Sequence, residues 1–356
     1  MKRLEKLRQQ MKQEELEGLL ITSSINQRYM TGFTGTAGVV VVTQNKAVFI
    51  TDFRYMEQAH QQVTDFEIIE HQGPIQKTVD EWVKAQAISS IGFEKNDLTY
   101  GQYELYKQAL SVQLVPSDGL IEKIRLIKDP AELDILKEAC KIGDKAFEHI
   151  LSYIKPGVKE IDIANELEFF MRRQGMTSSS FDTIVASGYR SALPHGVASD
   201  KQIQSGELVT LDFGGWYHGY SSDMTRTVAV GEISEELTAI YHIVLDAQMK
   251  GVAGIKPGIT AAEADALTRD HIKEKGYGDY FGHSTGHGLG MDVHEAPALS
   301  FRSDAVLAEG MVVTVEPGIY VPQVGGCRIE DDIVLTAEGN QRLSHAPKEL
   351  IYVPND

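Results

Sequence analysis

The spacing of apolar and polar positions changes along the chain and divides it into regions. Leu4, Leu7, Met11, Leu16 and Leu19 recur at a loose helical period, and Gly18-Leu19-Leu20-Ile21-Thr22 then reads as a buried strand. Two β-rich runs, Gly38 to Thr43 and Lys46 to Thr51, are separated only by Gln44-Asn45, which predicts a hairpin. Tyr55 to Val63 has a helical pattern, while Phe66 to Glu70 and Ile91 to Glu94 read as extended. The segment up to about residue 125 is therefore an α/β region, and no grouping of His, Asp or Glu in it has the look of a site.

A helix start follows. In Asp129-Pro130-Ala131-Glu132, Asp129 can cap, Pro130 suits the first helical position, and Glu132 favours the positive helix end. The periodic positions Leu133, Leu136, Ala139, Cys140 and Phe147 carry the helix onward. The expected domains are thus 1–126 and 127–356.

The second region repeats itself. Lys155-Pro156-Gly157-Val158 returns as Lys256-Pro257-Gly258-Ile259, and the helical segments that follow end at Gly175 and Gly276. Downstream, the run from Gly206 through Val209-Thr210-Leu211-Asp212 to Gly214 is echoed from Gly310 through Val313-Thr314-Val315-Glu316 to Gly318. A duplicated unit with pseudo-two-fold symmetry places Asp212 and Glu316 at equivalent points, facing a shared centre.

The strands around these acids read as hairpins. Leu208 to Gly214 and Ser222 to Val230 flank Tyr217-His218-Gly219, and a two-residue turn at Tyr217-His218 or at His218-Gly219 leaves Asp212 and Asp223 on one face. In the first register they stand opposite, roughly 5 Å apart at Cβ. Thr314 to Val321 and Cys327 to Val334 flank Pro322 to Gly326, and a three-residue loop centred on Gln323 would oppose Glu316 to Glu330, with Pro317 interrupting. Strand acids ordinarily face water, but Asp212 and Glu316 each follow an apolar run that looks interior. Paired carboxylates repel unless a cation or proton lies between them, so four on two hairpins suit divalent metal.

Composition narrows the chemistry. At 356 residues with 42% hydrophobic content, the chain can fill two cores. A formal net charge of −17 argues against nucleic acid and anionic membrane as partners. Cys140 and Cys327, far apart, make neither a disulfide framework nor a thiolate zinc site, and a reducing cytoplasm fits. Charges spread through the first sixteen residues exclude an ordinary secretory signal, and Gly38 to Thr43, the longest apolar stretch, is too short to span a membrane.

The second region also holds His195, His283, His287 and His294. Four glycines between Gly282 and Gly290 argue against a helix there and for an extended strand, along which an imidazole can join the carboxylates. Gly282 to Gly286 also matches the GxSxG pattern of serine hydrolases, but the glycines after it exclude the required helix.

Taken together, Leu193 to Gly196, Leu211 to Gly215, Ser222 to Thr227, Ser284 to Gly290, Val293 to Glu295, Val315 to Tyr320 and Arg328 to Asp331 resemble the proline-specific metallopeptidases, aminopeptidase P and prolidase. The motifs span the second region in order. Asn26 to Phe33 and Arg125 to Leu133 extend the likeness to the first, which sets methionine aminopeptidases aside. The resemblance implies an α/β fold: a creatinase-type α/β N-terminal domain before a pita-bread α/β C-terminal domain. It maps the family's metal ligands onto Asp212, Asp223, His287, Glu316 and Glu330. Asp223 and Glu330 would bridge two divalent ions, with Asp212 on one ion and His287 with Glu316 on the other. The ions would be manganese foremost, with cobalt or zinc as alternatives.

The implied activity is hydrolysis of Xaa-Pro bonds, on peptides with proline at the second position, by a homodimer. Glu316 would shuttle a proton, His294 would steady the oxyanion, and His195 would face the substrate, with His283 and Arg328 lining the same site. Some prolidases carry an arginine shortly after the His-Glu motif; Ala298 stands there, with Arg302 the nearest candidate, which tilts the reading toward aminopeptidase P. Creatinase-like C–N hydrolases and non-catalytic interaction proteins on this fold typically lack the ligands retained here.

Overall fold

A computed structural model describes residues 2–354, and the chain divides into two units, one ending at Arg125 and one beginning at Leu126. In the first unit, six strands form one sheet: β1 (Gly18–Ile21), β2 (Val39–Thr43), β3 (Ala47–Thr51), β4 (Glu67–Glu70), β5 (Ser90–Glu94) and β6 (Gln113–Ser117), in the order β4-β3-β2-β1-β5-β6. The predicted hairpin pairs Val39 with Ile50 and Val42 with Ala47 around Gln44-Asn45. All of β2 is buried, so the run shows no alternation, as expected for a strand covered on both faces.

The helices are α1 (Arg3–Gln13), α2 (Ser24–Thr31), α3 (Met56–Gln62), α4 (Ile75–Ala85), α5 (Tyr100–Ala109) and α6 (Leu120–Arg125). Val79, Trp82 and Val83 of α4 and Tyr106 of α5 pack on Leu20, Val41, Val48 and Ile91 of the sheet.

The second unit opens with α7 (Pro130–Ile150). Asp129 accepts the Glu132 N–H while Glu132 reaches back to the Asp129 N–H, a reciprocal cap of the predicted kind. Each half of this unit then follows one plan. Gly157 and Gly258, both at positive φ, donate N–H to Ile203 and Leu307. Next come α8 (Glu160–Arg173) and, in the second half, α10 (Ala261–Glu274), which end before Gly175 and Gly276, again at positive φ. Between the halves runs α9 (Glu235–Gly254).

The first-half sheet holds β7 (Ile184–Ser187), β8 (Glu207–Phe213) and β11 (Met224–Val230), with β9 (Trp216–Tyr217) and β10 (Tyr220–Ser221) forming the tip of the β8–β11 hairpin. The second-half sheet holds β12 (Gly286–Gly288), β13 (Glu295–Leu299), β14 (Val312–Val315), β17 (Asp331–Thr336) and β18 (Gly339–Arg342). A separate ribbon pairs β15 (Gly318–Val321) with β16 (Gly325–Arg328), and β19 (Tyr352–Val353) joins β11.

Alternation explains which side chains reach the centre. Val209, Leu211, Phe213, Met224 and Val228 pack outward on α7 and α8, so Asp212, Asp223 and Thr225 turn inward. In the other half Val313, Val315, Ile333 and Leu335 pack with Ala261 and Ala264 of α10, leaving Thr314, Glu316, Glu330 and Asp332 on the opposite face. Burying a side chain such as Leu211 or Phe213 contributes roughly 1.5–3 kcal/mol, enough to lock a register whose one-residue slip would expel every acid from the centre.

Candidate metal centre

The hairpin registers decide how the acids meet. Tyr217 pairs with Tyr220 across His218-Gly219, both at positive φ, which is the turn that favours glycine in its second place. The second of the two predicted registers is therefore adopted: Asp212 pairs with Thr225, and Asp223 lies one step further along the same face. In the other hairpin Val321 pairs with Gly325 across a three-residue loop centred on Gln323, and Val315 pairs with Asp331. That register opposes Glu316 to Glu330 where both strands break, beside Pro317. The Gly282–Gly290 stretch is extended around β12, not helical.

These acids line one cleft of about 640 Å³, together with His195, His283, His287, His294, Arg328, Ala298 and apolar Phe181, Ile184 and Val293. One oxygen each of Asp223 and Glu330 and a ring nitrogen of His287 lie within 4.8 Å of one another. His287 Nδ1 faces the Gly288 carbonyl at 3.0 Å, so it must carry the proton there. Its Nε2 is left as a lone pair, 3.3 Å from Glu316 Oε1 and 3.7 Å from Asp223 Oδ2.

The acids are held by partners around them. Thr225 Oγ1 donates to Glu330 Oε2 at 2.6 Å, and Thr314 Oγ1 donates to Glu316 Oε1 at 3.0 Å while accepting the His287 N–H. Arg328 donates to Asp212 at 2.6 Å, to the Tyr320 hydroxyl at 2.7 Å and to Thr225 at 3.2 Å. Its guanidinium is thus taken up by the site's own walls. Tyr320 O–H in turn serves His283 Nε2 at 2.7 Å. Asp332 accepts the Asp223 N–H at 3.0 Å.

Thr225, Thr314, Tyr320 and Asp332 were not singled out from the sequence. Strand parity was the available signal for three of them, since Thr314 is two before Glu316, Asp332 two after Glu330 and Thr225 two after Asp223.

Charge in the cleft is unbalanced. Burial, then the neighbouring Glu330 and Asp212, push the Asp223 carboxyl well above the ordinary range, and burial with Glu316 does the same to Glu330. Burial raises Glu316 to about 7 and Asp332 to about 8. Burial lowers His287, and lowers His283 to about 4 with the help of nearby Arg328, so both rings stay neutral near neutral pH. Asp212 Oδ1 and Glu330 Oε1 are buried with no hydrogen-bond partner among the described residues. Orphaned carboxylate oxygens, crowded anions and an inward lone pair make a donor set that fits divalent cations. His195 and His294 are exposed at the mouth, and the His294 ring lies 4.4 Å from that of His287.

The description "Metallopeptidase family M24" matches residues 134–337, and "Creatinase/Prolidase N-terminal domain" matches residues 3–127. An uncharacterised peptidase of Bacillus subtilis, YqhT, is 63% identical over 352 residues, covering 99% of this chain and all of that one. An Xaa-Pro dipeptidase of Pyrococcus horikoshii is 42% identical, with 98% of both chains covered. The solved structure of an Xaa-Pro dipeptidase from Bacillus anthracis is 59% identical and superposes with a TM-score of 0.97 over 98% of this chain and 99% of that one. The chain belongs to metallopeptidase family M24, as an α/β protein with a creatinase/prolidase-type first domain and a pita-bread second domain.

Proposed function

We propose that the protein is a two-metal hydrolase of Xaa-Pro bonds, built as domain 1–126 followed by catalytic domain 127–356. The observation that carries this reading is the set of four inward carboxylates and one imidazole lone pair with two buried oxygens unmatched. Asp212, Asp223, His287, Glu316 and Glu330 would together hold the ions. Manganese is the proposed metal, since an oxygen-rich set suits it. When bound, the ions supply an activated water and polarise the scissile carbonyl.

The chain's own residues do the rest. Water's oxygen bonds to the carbonyl carbon, the C–N bond breaks, and Glu316 moves a proton from the water to the proline nitrogen. His294 stabilises the oxyanion and His195 orients the peptide. Arg328 and Tyr320 hold Asp212 and His283 in place. The apolar wall of Phe181, Ile184 and Val293 suits a proline ring, whose nitrogen offers no N–H to recognise.

Relatives named Xaa-Pro dipeptidase support dipeptides as substrates. A second reading, Xaa-Pro aminopeptidase, is favoured by exposed Ala298, which lends the cleft wall no cation for a dipeptide's carboxylate. Comparing an Xaa-Pro dipeptide with an Xaa-Pro-Xaa tripeptide under added manganese separates them: dipeptide cleavage alone supports the first, tripeptide cleavage alone the second, and neither would refute both. The reading extends to a cytoplasmic homodimer, supported for the compartment by two buried unpaired cysteines and for the dimer by family resemblance. Among the described residues no helix is long and apolar enough to cross a membrane.

A further inference from the structure

Glu160, the first residue of α8, lies far along the chain from every assigned ligand, yet its carboxylate has no exposed surface. Its Oε1 accepts the Ser187 N–H and hydroxyl, both at 2.8 Å. Its Oε2 accepts the Ser199 hydroxyl at 2.7 Å and N–H at 3.2 Å, together with the Arg190 guanidinium. Arg190 also donates to the Val197 carbonyl at 2.8 Å. Ser187 closes β7 and Ser199 ends the loop that follows, so one carboxylate ties both feet of the segment that carries His195.

The loop is seated on its far side as well. Ser191 Oγ donates to the Gly188 carbonyl and accepts the Gly326 N–H at 2.8 Å, and a Cβ added to Gly326 would come within 2.4 Å of the Ser191 carbonyl oxygen. Between these anchors the loop exposes Tyr189, Leu193 and Val197 around His195. An exposed loop with apolar side chains would otherwise sample many shapes, and ordering it on substrate binding would cost affinity. A buried carboxylate with a full set of donors removes that cost in advance.

We propose that Glu160 is a positioning residue for His195, fixing the loop so that the imidazole meets the peptide while the metal ligands stand independently. The proposal rests on the peptidase reading, in which His195 faces the substrate. Its test is a double-mutant cycle between Glu160→Gln and His195→Ala, read as kcat/KM on proline peptides with excess enzyme, alongside bound metal and amide exchange of residues 188–198. An amide keeps only one acceptor oxygen, so one foot of the loop must come loose.

Glu160→Gln should lower kcat/KM roughly ten- to a hundredfold, speed exchange in the loop, and leave metal content unchanged. In the His195→Ala background the same change should cost no more than about twofold, because its route of action is already gone. A full multiplicative loss in that background, a fall in bound metal, or a His195→Ala enzyme as active as wild type would overturn the proposal. If Glu160→Gln does not fold, Ser199→Ala goes through the same cycle with a loss of roughly three- to tenfold and the same criterion. A wild-type enzyme inactive on every proline peptide would refute the peptidase reading itself, an outcome distinct from multiplicative loss in an active one.

Discussion

In the first half of the catalytic unit, α8 begins with Glu160, which gathers Ser187, Ser199 and Arg190. In the second half, α10 begins with Ala261, and the buried acid sits one turn further on, at Asp265. Asp265 accepts the Thr285 N–H at 3.0 Å and hydroxyl at 2.9 Å, and both Nε and Nη2 of Arg269. Arg269 then donates to the carbonyls of Phe281 and His283. The backbone plan is common to both: Glu160 and Ile161 donate N–H to Lys201 and Ser199, just as Ala261 and Ala262 donate to Ala305 and Ser303.

What differs is where each acid acts. Glu160 holds the loop after β7, which carries exposed His195, whereas Asp265 holds the chain just before β12, which carries His287. The two halves share one backbone frame, and each is braced by a buried acid beside its own histidine. In the proposed assignment, one brace stands behind the substrate-facing histidine and the other behind the metal-binding one.

The largest effect expected from breaking this division is at the centre both halves share. Asp223→Ala removes a proposed metal ligand and should lower kcat/KM by about a thousandfold or more, with bound metal reduced, as activity assays and elemental analysis would read. Turnover left intact would refute the assignment.

Asp265→Asn should weaken metal binding by about ten- to a hundredfold through β12, measured by calorimetric titration, because it loosens the support of a ligand rather than the ligand. This is the reverse of the Glu160 pattern. Metal affinity unchanged in Asp265→Asn would erase the contrast between the halves.

The pH dependence of stability sharpens the same point. Glu316, raised to about 7, and Asp332, raised to about 8, have folded values above their unfolded ones, as do Asp223 and Glu330. Groups raised on folding stabilise the metal-free protein fully below their unfolded pKa and lose that contribution as pH rises through the folded value. The metal-free Tm should therefore fall between pH 6 and pH 9, while metal binding, which displaces protons, strengthens. The gap in Tm with and without manganese should widen over that window; a constant gap would count against proton-loaded carboxylates. The smallest effect belongs to Ala298→Arg, which should shift the ratio of dipeptide to tripeptide cleavage toward the dipeptide by roughly three- to tenfold.

Much of this was written in the sequence, and the reason varies by element. The cap at Asp129 and the register around Gln323 follow from local chemistry that needs no tertiary information. The repeat was readable because Gly157, Gly175, Gly258 and Gly276 each occupy a positive-φ position where glycine is favoured. The Asp212–Asp223 offset was not fixed by sequence, since both candidate turns keep the two acids on one face; the positive φ of His218 and Gly219 decides it. In the first unit, α5 was not anticipated: only Tyr106 of it is buried, so it lacks a hydrophobic period, and its signal is the Thr99–Gln102 capping box. Glu160 was invisible for a different reason. Its partners lie in a loop that only the folded chain brings back to α8.

The central claim is that Asp212, Asp223, His287, Glu316 and Glu330 together hold a pair of cations. Titrating the metal-stripped protein with manganese while following hydrolysis of an Xaa-Pro peptide tests it most directly. Activity should return only as the second ion per chain binds. Full activity without metal, or with no manganese bound at saturation, would contradict it.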